Sequence, residues 1–197
     1  MNEYGDHFAI VGAKIVDVVN GGTPTMNVFI EGGRISKIFP DSGKDITDDA
    51  IVIDGRGKYL IPGLWDMHAH LTIWPEFTGS IANLLVATGV TSVRDMGGQL
   101  EAVLTLRKKL LRLDTLGPRL WIAGPIIDGS PRIMEEDPQL GLTDISISVD
   151  TPTEALQTVD YLREQGVDFI KAYEMLRPDV FTALVQRAQV YELPAAG

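Results

Sequence analysis

From Tyr59 onward, short apolar runs of strand type alternate with amphipathic helical stretches, and this alternation restricts the fold more than any other feature of the chain. Strands separated by helices pair in parallel, because a parallel neighbour is reached only through a crossover long enough to hold a helix. Leu64 to His70 reads as the first such strand. The segment from Pro75 to Thr88 carries Ile81, Leu84, Leu85 and Thr88 at helical spacing, with Gly89 placed to close the helix. Val90 to Arg94 is a second strand. Gln99 to Leu116 is an amphipathic helix with Leu100, Val103, Leu104, Leu110 and Leu111 inside, Arg107, Lys108, Lys109 and Arg112 outside, and Gly117-Pro118 as its stop. Leu120 to Ala123 is a third strand. Thr151-Pro152-Thr153-Glu154 is a capping box opening a helix that ends at Gly166. Val167 to Tyr173 is then a fourth strand and Pro178 to Tyr191 a fourth helix.

Two joints repeat one another: Gly89 to Arg94 and Gly166 to Lys171 both run from a helix stop into a strand ending in a cation. Four βα units are visible, whereas eight close a barrel of about 250 residues. Residues 60–197 are too few for eight, so the expected architecture is the first half of a TIM-type (β/α)8 barrel. The closing Pro194-Ala195-Ala196-Gly197 reads like a strand being entered. A truncated product, a fragment or a split subunit is the expectation.

Residues 1–59 follow a different pattern. Phe8 to Val19 is rich in Ile and Val, Asn20-Gly21-Gly22-Thr23-Pro24 forces a reversal, and Thr25 to Ile30 follows. Glu31-Gly32-Gly33 turns the chain into Arg34 to Phe39, which Pro40 ends. A polar stretch from Asp41 to Asp49 precedes the strand Ala50 to Ile53 and the turn Asp54-Gly55-Arg56-Gly57. This region reads as an all-β domain beside the βα domain of residues 60–197.

Composition removes several functions. With 27 acidic against 17 basic residues the net charge is −10, which repels a phosphate backbone, so nucleic acid is not an expected partner. Without cysteine there is neither a disulfide framework nor a thiolate metal site. The longest uncharged run, Phe77 to Val93, contains Gly79, Ser80, Asn83, Thr88 and Gly89 and falls short of the roughly 20 apolar residues of a spanning helix. No basic stretch followed by an apolar one opens the chain, so a cytoplasmic protein without membrane partners is expected. No G-x-S-x-G elbow occurs, which disfavours a serine hydrolase.

The chemistry is concentrated at strand ends. In Leu64-Trp65-Asp66-Met67-His68-Ala69-His70, strict alternation puts Asp66, His68 and His70 on one face and Trp65, Met67 and Ala69 on the other. Two same-side imidazoles can reach a single divalent ion; the plain alternative is a pair of histidines held by backbone carbonyls. Lys171, in Asp168-Phe169-Ile170-Lys171-Ala172-Tyr173, is costly to bury unless paired or chemically altered, and the residues alone favour a strand-end lysine that reaches solvent. Arg94-Asp95 reads as a structural ion pair or a substrate contact, with structure the better reading. His7 has no second ligand near it in sequence and reads as a surface residue. The long stretch from Pro125 to Asp150, with Asp128, Gly129, Arg132, Glu135, Glu136 and Asp137, reads equally as a lid or binding loop and as an acidic surface excursion.

These motifs together resemble one family. Ile61-Pro62-Gly63-Leu64-Trp65-Asp66-Met67-His68-Ala69-His70 is similar to the P-G-x-x-D-x-H-x-H signature that opens the barrel of the metal-dependent amidohydrolase superfamily. Gly89 to Gly98 resembles the second-strand motif of its imidazolonepropionase-like and prolidase-like branch, and Gly166 to Lys171 that branch's fourth strand. The resemblance covers the N-terminal portion of such proteins, the β region matching their small sandwich domain. It implies that His68 and His70 bind the more buried of two divalent ions, zinc or another, and that Lys171 bridges the two as a carbamate. Asp66, Arg94, Asp95 and Tyr173 become candidates for supporting the ligands or touching substrate. The family's two later histidines, on strands five and six, have no counterpart here, and neither has its general-base aspartate, which the resemblance places beyond residue 197.

The function so implied is metal-assisted hydrolysis of a non-peptide or dipeptide-type C–N (amide) bond in a small-molecule substrate. The alternative is a non-catalytic half-barrel that works only by assembly with another chain, either a second copy or a complementing one, since open strand edges otherwise invite aggregation.

Overall fold

A computed structural model describes residues 7–41, 50–112, 114–135, 137 and 143–197. The chain forms two compact units, Met1–Pro62 and Gly63–Gly197.

In the first unit, β1 (His7–Ile15) and β2 (Thr25–Glu31) pair antiparallel, as do β2 and β3 (Arg34–Pro40). Then β4 (Ile51–Asp54) and β5 (Tyr59–Leu60) both join β1 in parallel, so the described strands form one mixed sheet. The second layer of a sandwich is not among the described residues, and neither is most of the polar stretch from Asp41 to Asp49. The first strand stops at Ile15, not Val19, because the Asp17 carboxylate accepts from the N–H groups of Val19 and Asn20 and turns the chain there. The ladder between β1 and β2 slips between Ile10 and Ala13, where Gly12 N–H is taken by the Asn27 side chain at 2.8 Å. His7 opens β1 and is exposed.

The second unit consists of parallel βα units. Strands β6 (Leu64–Ala69), β7 (Val90–Asp95) and β8 (Arg119–Ile122) form one parallel sheet in that order. Helices α1 (Thr78–Ala87) and α2 (Leu100–Leu110) cover one of its faces. Val93, Leu120 and Ile122 pack there with Val103 and Leu106, each apolar side chain contributing roughly 1.5–3 kcal/mol by leaving water. Helix α2 ends earlier than its sequence pattern, and Leu111, expected inside, is 71% exposed. Arg112, one residue on, is engaged by Asp114 in a local ion pair instead of continuing the helical face.

The stretch expected to be a loop hides two strands. β9 (Ile126–Asp128) and β10 (Ser146–Ser148) pair in parallel, and β9 is entirely buried. Ile127 bridges to Ala172, which carries the series on to β11 (Ile170–Lys171). The fourth strand is shorter than Val167–Tyr173 because Val167 to Phe169 meet β8 by other means: Asp168 N–H donates to Ile122 O, and the Asp168 carboxylate takes Ile122 N–H and the Arg107 guanidinium. The chain end does enter a strand, β12 (Ala195–Ala196), parallel to β11.

Helices α3 (Pro152–Gln165) and α4 (Pro178–Val190) pack over β9 and β11 through Val159, Leu162, Val180 and Leu184. The capping box is complete: Thr151 Oγ1 accepts from Glu154 N–H, and the Glu154 carboxylate accepts from Thr151 N–H. Gly166 closes the helix at φ 79°, a conformation a side chain would strain. No helix among the described residues is long and apolar enough to cross a membrane.

The fully buried Leu162 and the exposed cap at Thr151 differ in what they contribute. Leu162→Ala is expected to lose about 2–5 kcal/mol in urea unfolding, and Thr151→Ala about 1 kcal/mol; equal losses would contradict this placement of the core.

Candidate functional site

The first strand of the series does not alternate strictly. Its register against β7 pairs Asp66 with Val93 and Ala69 with Asp95, leaving Met67 and His68 opposite the single residue Arg94. This bulge changes which side chains share a face. Asp66 lies beside Val93, whose side chain packs toward α2, and its carboxylate accepts from His68 N–H at 3.0 Å. The expected single face of Asp66, His68 and His70 is therefore reduced to the two imidazoles, whose ring centres lie 5.4 Å apart at a steep angle.

His70 is oriented through one nitrogen. Its Nδ1 lies 2.8 Å from Gly97 O. A carbonyl only accepts, so Nδ1 carries a proton, and in the neutral ring the lone pair is then on Nε2. His68 is exposed and is less basic than an ordinary imidazole, through partial loss of hydration first and then through the nearby charges of His70, Lys171 and Arg94. Its neutral form is favoured.

Lys171 does not reach solvent as the residues alone favour; it is 4% exposed. The strand is flanked by β9 and β12 and covered by α3 and α4, so its end is not a free edge. Loss of hydration, then Arg94, lowers the basicity of its amine, while Glu174 acts the other way. Nζ sits 5.2 Å from the centre of the Tyr173 ring, two residues along. The charges of Lys171 and Arg94 both act on His68 and lower its basicity.

Arg94 and Asp95 do not form an ion pair. Arg94 Nε donates to Met67 O at 2.9 Å, and its guanidinium lies 5.4 Å from the centre of the Phe169 ring. Asp95, on the opposite side of the strand, is fully buried and accepts from Leu71 N–H at 2.8 Å and Gly97 N–H at 3.3 Å. Burial pushes its carboxyl up to about 6 against the lowering effect of those bonds and of His70.

Sequence reasoning missed Gly97 as the group that orients His70; the Gly-Gly pair one residue past the end of a strand was the available signal. It also missed Asp128, which is fully buried, not part of an acidic surface. Asp128 gathers the N–H groups of Gly129, Ile133 and Met175 and so ties the chain after β9 to the chain after β11. Arg132 donates to Ser146 O, and Glu136 lies outside the described residues.

Among the described residues no group of three or more His, Cys, Asp or Glu side chains could hold a metal ion. The donor set present is two imidazoles and one buried amine. It fits a divalent ion in part, and completely only with further ligands or a chemically altered Lys171.

No family model matches the chain. It is 32% identical over 101 residues to adenine deaminase of Rubrobacter xylanophilus, an alignment covering 51% of this chain and 17% of that protein. It is 36% identical over 88 residues to dihydroorotase of Trichlorobacter lovleyi, covering 43% and 20%. Among solved structures, a putative prolidase from Bifidobacterium longum matches with a TM-score of 0.77 and 25% identity over 98% of this chain and 49% of that one. Phenylurea hydrolase B matches in fold with a TM-score of 0.80 at 20% identity, over 96% and 54%. The chain thus spans about half the length of these structures, and the sequence alignments cover a fifth or less of the two curated relatives.

Asp95 makes stability depend on pH in a defined direction. Its carboxyl takes up a proton near pH 6 when folded and near pH 4 when unfolded. Between those values the native state holds the extra proton, so the contribution of Asp95 to stability falls as pH rises from about 4 to about 6 and is flat above. The difference in unfolding free energy between wild type and Asp95→Asn is expected to move in favour of the variant across that window; a pH-independent difference contradicts it.

Proposed function

Because the chain belongs to the amidohydrolase superfamily, we propose that it is the metal-binding portion of a hydrolase acting on a non-peptide or dipeptide-type C–N (amide) bond. What supports this reading is the pair of imidazoles, His68 and His70, with ring centres 5.4 Å apart, beside a buried lysine whose charge acts on His68 and which has no carboxylate bound to it among the described residues. In this reading residues 1–59 are part of a small β-sandwich and residues 60–197 the first half of a (β/α)8 barrel.

His68, His70 and Lys171 would hold the ion, zinc or another divalent metal. Bound there, such an ion polarises a carbonyl and acidifies a water molecule. The contribution of this chain is to present donors in the right protonation state. Gly97 turns His70 so that its neutral ring would present Nε2, the surroundings of His68 favour its neutral form, and Lys171 is biased toward the neutral amine, the form that combines with carbon dioxide to give an anionic carbamate. Arg94 stands beside that position as a counter-charge. Tyr173 borders it and is available to a substrate.

Zinc titration by calorimetry tests the reading. Wild type is expected to bind the ion, and His68→Asn and His70→Asn each to weaken binding at least tenfold; in carbon-13 bicarbonate, wild type but not Lys171→Met is expected to give a carbamate signal. Binding unaffected by either histidine variant contradicts it.

A second reading, a non-catalytic subunit that works by assembly, is favoured by one observation. Trp65 and Trp121 lie with ring centres 5.8 Å apart on the sheet face away from α1 and α2, and both are more than two-fifths exposed. Light scattering of the purified chain is expected to give a self-associated species if this reading holds, and a monodisperse monomer counts against it.

A further inference from the structure

We propose that Asp95 is a positioning residue for His70, acting through the backbone of Gly97. The inference adds to the metal-binding reading and rests on it only where metal affinity is concerned.

The carboxylate is fully buried, and its two oxygens go to different segments. Oδ2 accepts from Leu71 N–H, the peptide immediately after His70, at 2.8 Å. Oδ1 accepts from Gly97 N–H at 3.3 Å. Gly97 in turn offers its carbonyl to His70 Nδ1 at 2.8 Å. One side chain thereby holds both the chain that carries the imidazole and the acceptor that selects which of its nitrogens bears the proton. Met96 N–H donates to Ala69 O, which closes the same short circuit between the ends of β6 and β7.

Gly97 has no room to be anything else. A Cβ there would lie 2.4 Å from Ile126 Cγ1 and 3.6 Å from His70 Cε1, and its φ is 153°. Gly97 lies tight against Ile126 of β9 and is held on both sides: Asp95 takes its N–H, and Gly124 O takes the N–H of Gly98, in the peptide whose carbonyl faces the ring, at 3.0 Å, so the Asp95 bond is the anchor on the β7 side. A carboxylate is suited to this task because it accepts at both oxygens; an asparagine of the same shape turns an NH2 toward one of the two N–H donors. Outer partners of this kind fix ligand tautomers, and their loss typically costs 10–100-fold in metal affinity.

The test is nitrogen-15 NMR of the histidine rings in the metal-free full chain, followed by zinc titration. Wild type is expected to show His70 with Nδ1 protonated and Nε2 bare. Asp95→Asn is expected to keep its circular dichroism spectrum, to give a mixture of both tautomers at His70 with His68 unchanged, and to bind zinc 10–100-fold more weakly. A folded Asp95→Asn with the wild-type tautomer overturns the proposal. A wild-type spectrum with the proton on Nε2 in place of Nδ1 also overturns the proposal, whether or not that variant folds. Wild type that binds no zinc, with an Asp95→Asn variant that still mixes the His70 tautomers, counts against the metal reading and leaves the Asp95 relay supported.

Discussion

At the carboxyl ends of β6 and β7, the N–H groups of Leu71 and Gly97 are bound by one buried carboxylate and not by a ladder partner. The arrangement of the site depends on this. An open N–H in the interior costs free energy comparable to a lost hydrogen bond, so Asp95 compels the two strand ends to stay together, and the imidazole of His70 is carried with them. The raised proton affinity of Asp95 is the consequence of asking a carboxylate to do this out of reach of water.

Around that joint the charges are arranged in an unusual way for a chain of net charge −10. His68, Lys171 and Arg94 stand close enough to influence one another, and burial and mutual repulsion act on His68 and Lys171 in the same direction, toward their neutral forms. Neutral imidazole and neutral amine are the forms with lone pairs. A cluster meant only to stabilise the fold would gain more from carboxylate partners, as Arg107 does with Asp168 and Arg187 with Asp160 elsewhere in the same unit.

The order of the parallel units was legible because their punctuation is local: a capping box at Thr151, a left-handed glycine at 166 and a proline at the first turn of α4 each act within a few residues. What escaped depends on contacts distant in sequence. Ile126-Ile127 is too short to show a period, yet it becomes a buried strand because β10 and Ala172 pair with it. The bulge between Asp66 and Ala69 is invisible in a pattern that assumes strict alternation, and it leaves the Asp66 carboxylate on the backbone N–H of His68. Lys171 looks like a solvent-seeking lysine until the neighbouring strands are in place around it. The H-x-H pair itself was legible from spacing, and the prolidase-like resemblance built on it agrees with a putative prolidase among the solved structures, whereas the sequence alignments are to adenine deaminase and dihydroorotase, which that resemblance did not single out.

The central claim is that His68, His70 and Lys171 face one divalent ion. The most direct measurement is anomalous X-ray scattering at the zinc edge from crystals of the full chain grown with zinc. The account predicts a single strong peak within bonding distance of His68, His70 Nε2 and the end of the Lys171 side chain. A peak bound elsewhere on the chain, with the two imidazoles turned away from each other, would contradict it.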